Sequence, residues 1–81
     1  MAMNIYGKKI REDNRVVIYE YGRNFDNLTG RLQIEKKSFE LTKIRDSNDK
    51  LDNISYFKIG CKLIKLYKSK GTFPDSVESV S

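Results

Sequence analysis

Histidine and tryptophan are missing from these 81 residues, cysteine and proline occur once each, and glycine appears only five times. Each shortage closes off a class of protein. Without histidine the chain lacks the commonest general base and the commonest metal ligand. A lone cysteine, Cys61, makes no internal disulfide and supplies neither a structural zinc set nor a paired thiol nucleophile. Small secreted domains usually carry several cysteines, and no apolar N-terminal run of signal-peptide length is present, so a cytoplasmic location is expected. Unbroken apolar stretches reach only four residues, against the roughly 20 that a bilayer-spanning helix needs, and no membrane is expected as a partner. The glycines stand isolated, which excludes a glycine-rich phosphate loop. Scarce proline and glycine, with no repeat or low-complexity tract, argue for a folded chain.

Carboxylates are scattered. Asp46, Asp49 and Asp52 recur every third residue at a helix start, without the glycine that a calcium loop's sharp turn requires. Helix capping accounts for them better, and no metal, cofactor or small-molecule substrate is expected. Tyr6, Tyr19 and Tyr21 with Arg15 and Arg31 are the only candidates for a histidine-free phosphoryl-transfer site. Nothing in their spacing singles them out, and the chain reads as a non-enzyme.

What is present is positive charge and amphipathic pattern. The length allows a single domain, expected over residues 1–73, with 74–81 a flexible tail. The net charge is +5. It is concentrated in residues 50–71, where six lysines face Asp52 alone. Such an excess suits an anionic partner or simply a solvated face.

The first half reads as strands. Asn4 to Ile10 is a weak strand candidate, ended by the polar Arg11-Glu12-Asp13-Asn14. Arg15 to Tyr21 is dense in β-branched and aromatic residues, with Val16 and Ile18 on one face and Val17, Tyr19 and Tyr21 on the other. That pattern fits a central strand, or one whose second face meets a partner. Gly22 to Asn27 is a loop with Phe25 in it, either a plug over the core edge or an exposed contact. Leu28, Gly30, Leu32 and Ile34 alternate onto one face. The parity then flips at Phe39 and Leu41. A hairpin centred on Lys36-Lys37 would set Ile34 opposite Phe39 and Leu32 opposite Leu41, and a bulge is the alternative. The strand so formed runs to about Ile44.

Arg45 to Lys50 is a polar connector in which Ser47 or Asp49 is placed to cap a helix. From about Leu51 to Lys70 the period is helical, with two apolar stripes: Ile54, Phe57, Cys61 and Ile64, and Ile59, Leu63 and Leu66. Lys58, Lys62 and Lys65 fill the narrow arc that remains. Gly71 and Pro74 stop the helix, and Phe73 folds back onto its end. The expected fold is α+β: a three- to four-stranded antiparallel meander, curled or open, crossed by one long C-terminal helix, in the order β-β-β-β-α.

Two kinds of binding follow. The first is a protein-binding module, such as an inhibitor, an antitoxin- or immunity-like protein or an accessory factor, using Tyr19, Tyr21, Phe25, Ile59 and Leu66 toward another protein or a second copy in a homodimer. The second is nucleic-acid binding through Lys58, Lys62, Lys65, Lys68 and Lys70, joined by Lys8, Lys9, Arg31, Lys36 and Lys37. Cys61 reads as a core residue.

Overall fold

The computed structural model describes residues 4–47, 50 and 52–80. Strands β1 (Asn4–Glu12), β2 (Val16–Gly22), β3 (Gly30–Glu35) and β4 (Leu41–Arg45) precede the helix α1 (Asp52–Lys70), and β5 (Ser76–Val80) follows it. All five strands form one antiparallel sheet in the order β4-β3-β2-β1-β5, with α1 packed on one face. The expected α+β architecture is the one that forms, with one more strand than the sequence reading supplied.

The two-faced pattern of β2 is that of the middle strand. Val17, Tyr19 and Tyr21 point to the helix and are buried, while Val16 and Ile18 are half-buried on the open face. The turn before it is fixed by Asp13, whose Oδ1 accepts the N–H groups of Arg15 at 2.8 Å and Val16 at 2.9 Å. On β3 the alternation holds, with Gly30, Leu32 and Ile34 buried. Gly30 lies directly under the Tyr21 ring: a Cβ there would stand 2.5 Å from Cζ of Tyr21.

The β3–β4 connection is a hairpin, but not the tight one the parity flip suggested. Ile34 pairs with Leu41 and Leu32 with Lys43, so the loop is longer and Phe39 leaves the ladder. Phe39 adopts a left-handed conformation at φ 59°, and its N–H donates to the carbonyl of Glu35 at 2.8 Å. Its ring sits edge-on to Tyr67 at 5.8 Å, with the Lys68 ammonium over the ring 5.0 Å from its centre. These contacts offset the cost of a non-glycine residue in that region.

The helix start also departs from expectation. Among the described residues Ser47 donates to the helix start and does not accept from it: its N–H donates at 2.9 Å to Oδ1 of Asp52, and its hydroxyl donates to the same oxygen. Asp49 and Leu51 lie outside the described residues. Asp52 itself is buried and also accepts from Tyr21 Oη at 2.7 Å and Lys43 Nζ at 2.6 Å. One carboxylate thereby joins β2, β4, the connector and the first turn of α1. Gly71, at φ 79°, closes the other end by donating its N–H to the Tyr67 carbonyl at 2.7 Å. Phe73 is buried, stacked on Tyr67 at 4.4 Å and tilted against Tyr19 at 6.5 Å.

The expectation of a loose tail over 74–81 is corrected. Ser76–Val80 is β5, paired with β1 from Lys8↔Ser76 to Asn4↔Val80. Its Val77 is buried over Gly7, where a Cβ would come within 2.9 Å of the valine's Cγ1. The alternation Ser76-Val77-Glu78-Ser79-Val80 is that of an edge strand with one buried position.

Candidate protein-binding face

Three of the residues expected to meet a partner are core. Tyr19, Tyr21 and Ile59 are fully buried within the chain itself and have no surface to offer. The Tyr19 hydroxyl donates to the carbonyl of Pro74 and the Tyr21 hydroxyl to Asp52. Burial first, and for Tyr21 the adjoining carboxylate next, pushes both phenols well above the ordinary tyrosine range. Leu66 is half-buried against the same core. Phe25 is half exposed, at 50%, and packs edge-to-face on Tyr6 at 5.9 Å on the open side of the sheet.

The surplus apolar surface is real but lies on the other stripe. Ile59 and Leu63 face the sheet, and of the other stripe Ile54, Phe57 and Cys61 face outward while Ile64 packs against the core. Phe57 is 62% exposed and Ile54 45% exposed, one turn apart, with Cys61 half-buried in the next turn. Cys61 is therefore not the core residue it was expected to be; its thiol is free and borders the outward face.

Asp52 fixes which stripe is buried. It shares the inward side with Ile59 and Leu63, and its bonds to Tyr21, Ser47 and Lys43 hold the rotation of the first turn about the helix axis. Burial alone would raise this carboxyl; the hydrogen bonds from Lys43, Ser47 and Tyr21 outweigh it and hold the group well below the usual carboxylate range. Gly60 adds to the effect, because a Cβ there would stand 2.4 Å from Cδ2 of Leu41, so a larger residue would push the Leu41 side chain aside.

Beside the outward stripe, between α1 and β5, runs a groove of about 470 Å³ lined by Phe57, Lys58, Cys61, Lys62, Lys65 and Ser79. Among the described residues its lining has three lysines and no carboxylate. Two other concavities differ in charge: one of about 490 Å³ sets Arg45 beside Asp46, and one of about 320 Å³ sets Arg15 and Lys37 beside Glu35. No protein-family model, curated protein or solved structure matches the chain.

The lysines proposed for nucleic acid do not form one free array. Lys62 Nζ donates to the backbone carbonyl of Glu78, and Lys68 sits over Phe39. Lys9 and Lys36 both reach Glu12, at 2.7 Å each, and Arg31 reaches Glu20 at 3.3 Å. These contacts hold the Glu12 carboxyl below its usual range. Lys65 and Lys70 are exposed on α1, and Lys8 and Lys37 are exposed on the sheet side and in the β3–β4 loop. Among the described residues no group of three or more metal-ligating side chains comes together, and no helix is long and apolar enough to cross a membrane.

Sequence reading missed Phe57 and Ile54 as surface residues because both stripes of α1 are apolar. The signal that separates them is Asp52, a charged residue that belongs to the inward stripe.

Proposed function

We propose that the chain is a small, non-enzymatic, cytoplasmic protein-binding module of the inhibitor, antitoxin- or immunity-like, or accessory kind. Its binding surface is the outward stripe of α1, Ile54 and Phe57, with the adjoining groove. The observation that supports this most is the 62% exposure of Phe57, the most exposed of the described aromatic residues, on a helix whose opposite side is buried. Aromatic side chains flanked by cations are the residue types that anchor interfaces, and a large one held in solvent on a rigid helix gains most by being covered.

A homodimer through this face is the poorer fit, because Lys58, Lys62 and Lys65 of two copies would crowd together. Nucleic-acid binding draws less support, since Lys62 and Lys68 are already engaged within the chain. The test is affinity capture from native cells with the wild-type chain and with Phe57→Glu, after circular dichroism has established equal helicity. The expected result is a defined set of proteins retained by the wild type and lost from the variant. Equal retention by both overturns the assignment of this face. A titration with duplex and single-stranded DNA at physiological salt is expected to show only weak, salt-limited attraction.

A further inference from the structure

The two edges of the sheet are not alike. On β4 the edge is interrupted: the pairing shifts between Arg31 and Leu32, leaving Ile44 as a bulge, and Lys43 is drawn toward the helix by Asp52 and Asn53. On β5 the pairing is regular over five residues. The N–H of Lys9 donates to the carbonyl of Asp75 at 2.8 Å. By antiparallel alternation the residues opposite Gly7 and Ile5, Val77 and Ser79, also bond inward to β1. Ser76, Glu78 and Val80 therefore turn their N–H and C=O groups outward, away from every described strand, and all three are exposed.

One of those outward groups is covered. The Glu78 carbonyl accepts from Lys62 Nζ, so a lysine from α1 reaches over the rim and occupies the middle of the edge. Lysine laid on an edge is a common way to prevent two sheets from joining. Unlike a bulge or a proline, it is a long flexible side chain with one hydrogen bond, and it can withdraw. When it withdraws, its ammonium returns to the groove that already holds Lys58 and Lys65 beside Phe57.

The geometry points to an extended acidic segment of another protein that adds along β5 as a sixth strand. This rests on the protein-binding reading above and specifies the partner's form and charge. The guest's backbone pairs with Ser76, Glu78 and Val80, replacing Lys62 at the Glu78 carbonyl. Alternate side chains of the guest then point to the helix side of the sheet, where an apolar one lies against Phe57 and a carboxylate meets the released Lys62 and the exposed Lys65. Charge selects this occupant over a second copy, whose own β5 would bring its three lysines to the same groove and set Glu78 against Glu78.

The experiment uses the whole chain with a short synthetic peptide repeating Val-Val-Glu-Glu, which sets both valine and glutamate on each face of a strand, and its counterpart repeating Val-Val-Lys-Lys. Amide hydrogen exchange read residue by residue by NMR is the measure. The acidic peptide is expected to slow exchange at Ser76, Glu78 and Val80 by about tenfold or more, with Val77 and Ser79 little changed. Glu78→Pro removes an outward N–H without breaking the ladder to β1, and it is expected to abolish the slowing while native chemical shifts persist on β2 and β3. Lys62→Ala clears the edge and is expected to keep the slowing. No slowing at about 1 mM peptide, which corresponds to the weakest affinity of interest, overturns the proposal. So does equal slowing by the lysine peptide, or slowing by a DNA oligonucleotide when the acidic peptide is inert. Shifts confined to Ile54 and Phe57, with β5 exchange unchanged, also overturn strand addition while leaving the helix-face reading in place. Loss of the captured proteins in Phe57→Glu but not in Glu78→Pro separates the two readings in the same way.

Discussion

The side of α1 that meets the sheet and the side that faces away are built from similar residues and have opposite fates. Inward lie Asp52, Ser55, Ile59, Gly60 and Leu63, all buried; outward lie Ile54, Phe57 and the half-buried Cys61. Apolar content does not separate the two. The small and polar residues do: Gly60 leaves room for the Leu41 side chain, and Asp52 sets the rotation through Tyr21, Ser47 and Lys43. In this helix a carboxylate decides where the hydrophobic surface goes.

The widest gap between the sides is expected in stability. Leu63→Ala leaves a cavity in the core and is expected to destabilise the chain by about 2–5 kcal/mol in urea unfolding. A loss well under 1 kcal/mol there would erase the distinction between the two stripes. Asp52→Ala is expected to cost about 2–3 kcal/mol, because it strands the Tyr21 hydroxyl and the Ser47 N–H among buried groups. Gly30→Ala is expected to cost about 1–3 kcal/mol, since the Tyr21 ring above it is tethered by its bond to Asp52 and has little room to move. At the other extreme, Phe57→Ala is expected to change stability by no more than about 0.5 kcal/mol. A large loss in that variant would make Phe57 a structural residue and remove the case for an interface.

Acidification tests the same network through its protonation. The Asp52 carboxyl has an ordinary value of 3.8 and is held below it in the folded chain. Its contribution is complete above the ordinary value and is lost as pH falls through the folded one, so the melting temperature is expected to drop below about pH 4. Glu12 and Asp13 are depressed as well and add to the loss in that window. In Asp52→Asn the acid limb is expected to be shallower. Tyr19 and Tyr21 act at the other end: their folded values lie above the ordinary 10.0, so stability is expected to fall as pH rises past about 10.

Much of this was legible from residue pattern. The parity of Val16 to Tyr21 gave the middle strand and its buried face, Leu28 to Ile34 gave the next, and Gly71 gave the end of α1. Local periodicity carries that information because one face of each element is buried. The β3–β4 register was not legible, because Lys36 to Glu40 have no strong turn chemistry and Phe39 is held in place by Tyr67 and Lys68, which are distant in sequence. Residues 76–80 read as a tail because only Val77 is buried there, and a strand with a single buried side chain has little pattern to show. For the candidate site, Phe25 was legible only as either a plug over the core edge or an exposed contact, and it is 50% exposed against Tyr6, while Tyr19, Tyr21 and Ile59 are core. A hydropathy count weighs Asp52 against its stripe, whereas in three dimensions that aspartate is what draws the stripe inward.

The pairing of Asn4 with Val80 has a mechanical consequence. The two ends of the described chain are neighbours in an antiparallel ladder, so a force that separates them loads the β1–β5 hydrogen bonds one after another, beginning with those between Ile5 and Ser79. Strands loaded this way unzip, whereas strands pulled along their length must break all their bonds at once. Tension would thus strip β5 first and uncover the rim of β1, leaving the four-stranded sheet and its helix to yield later.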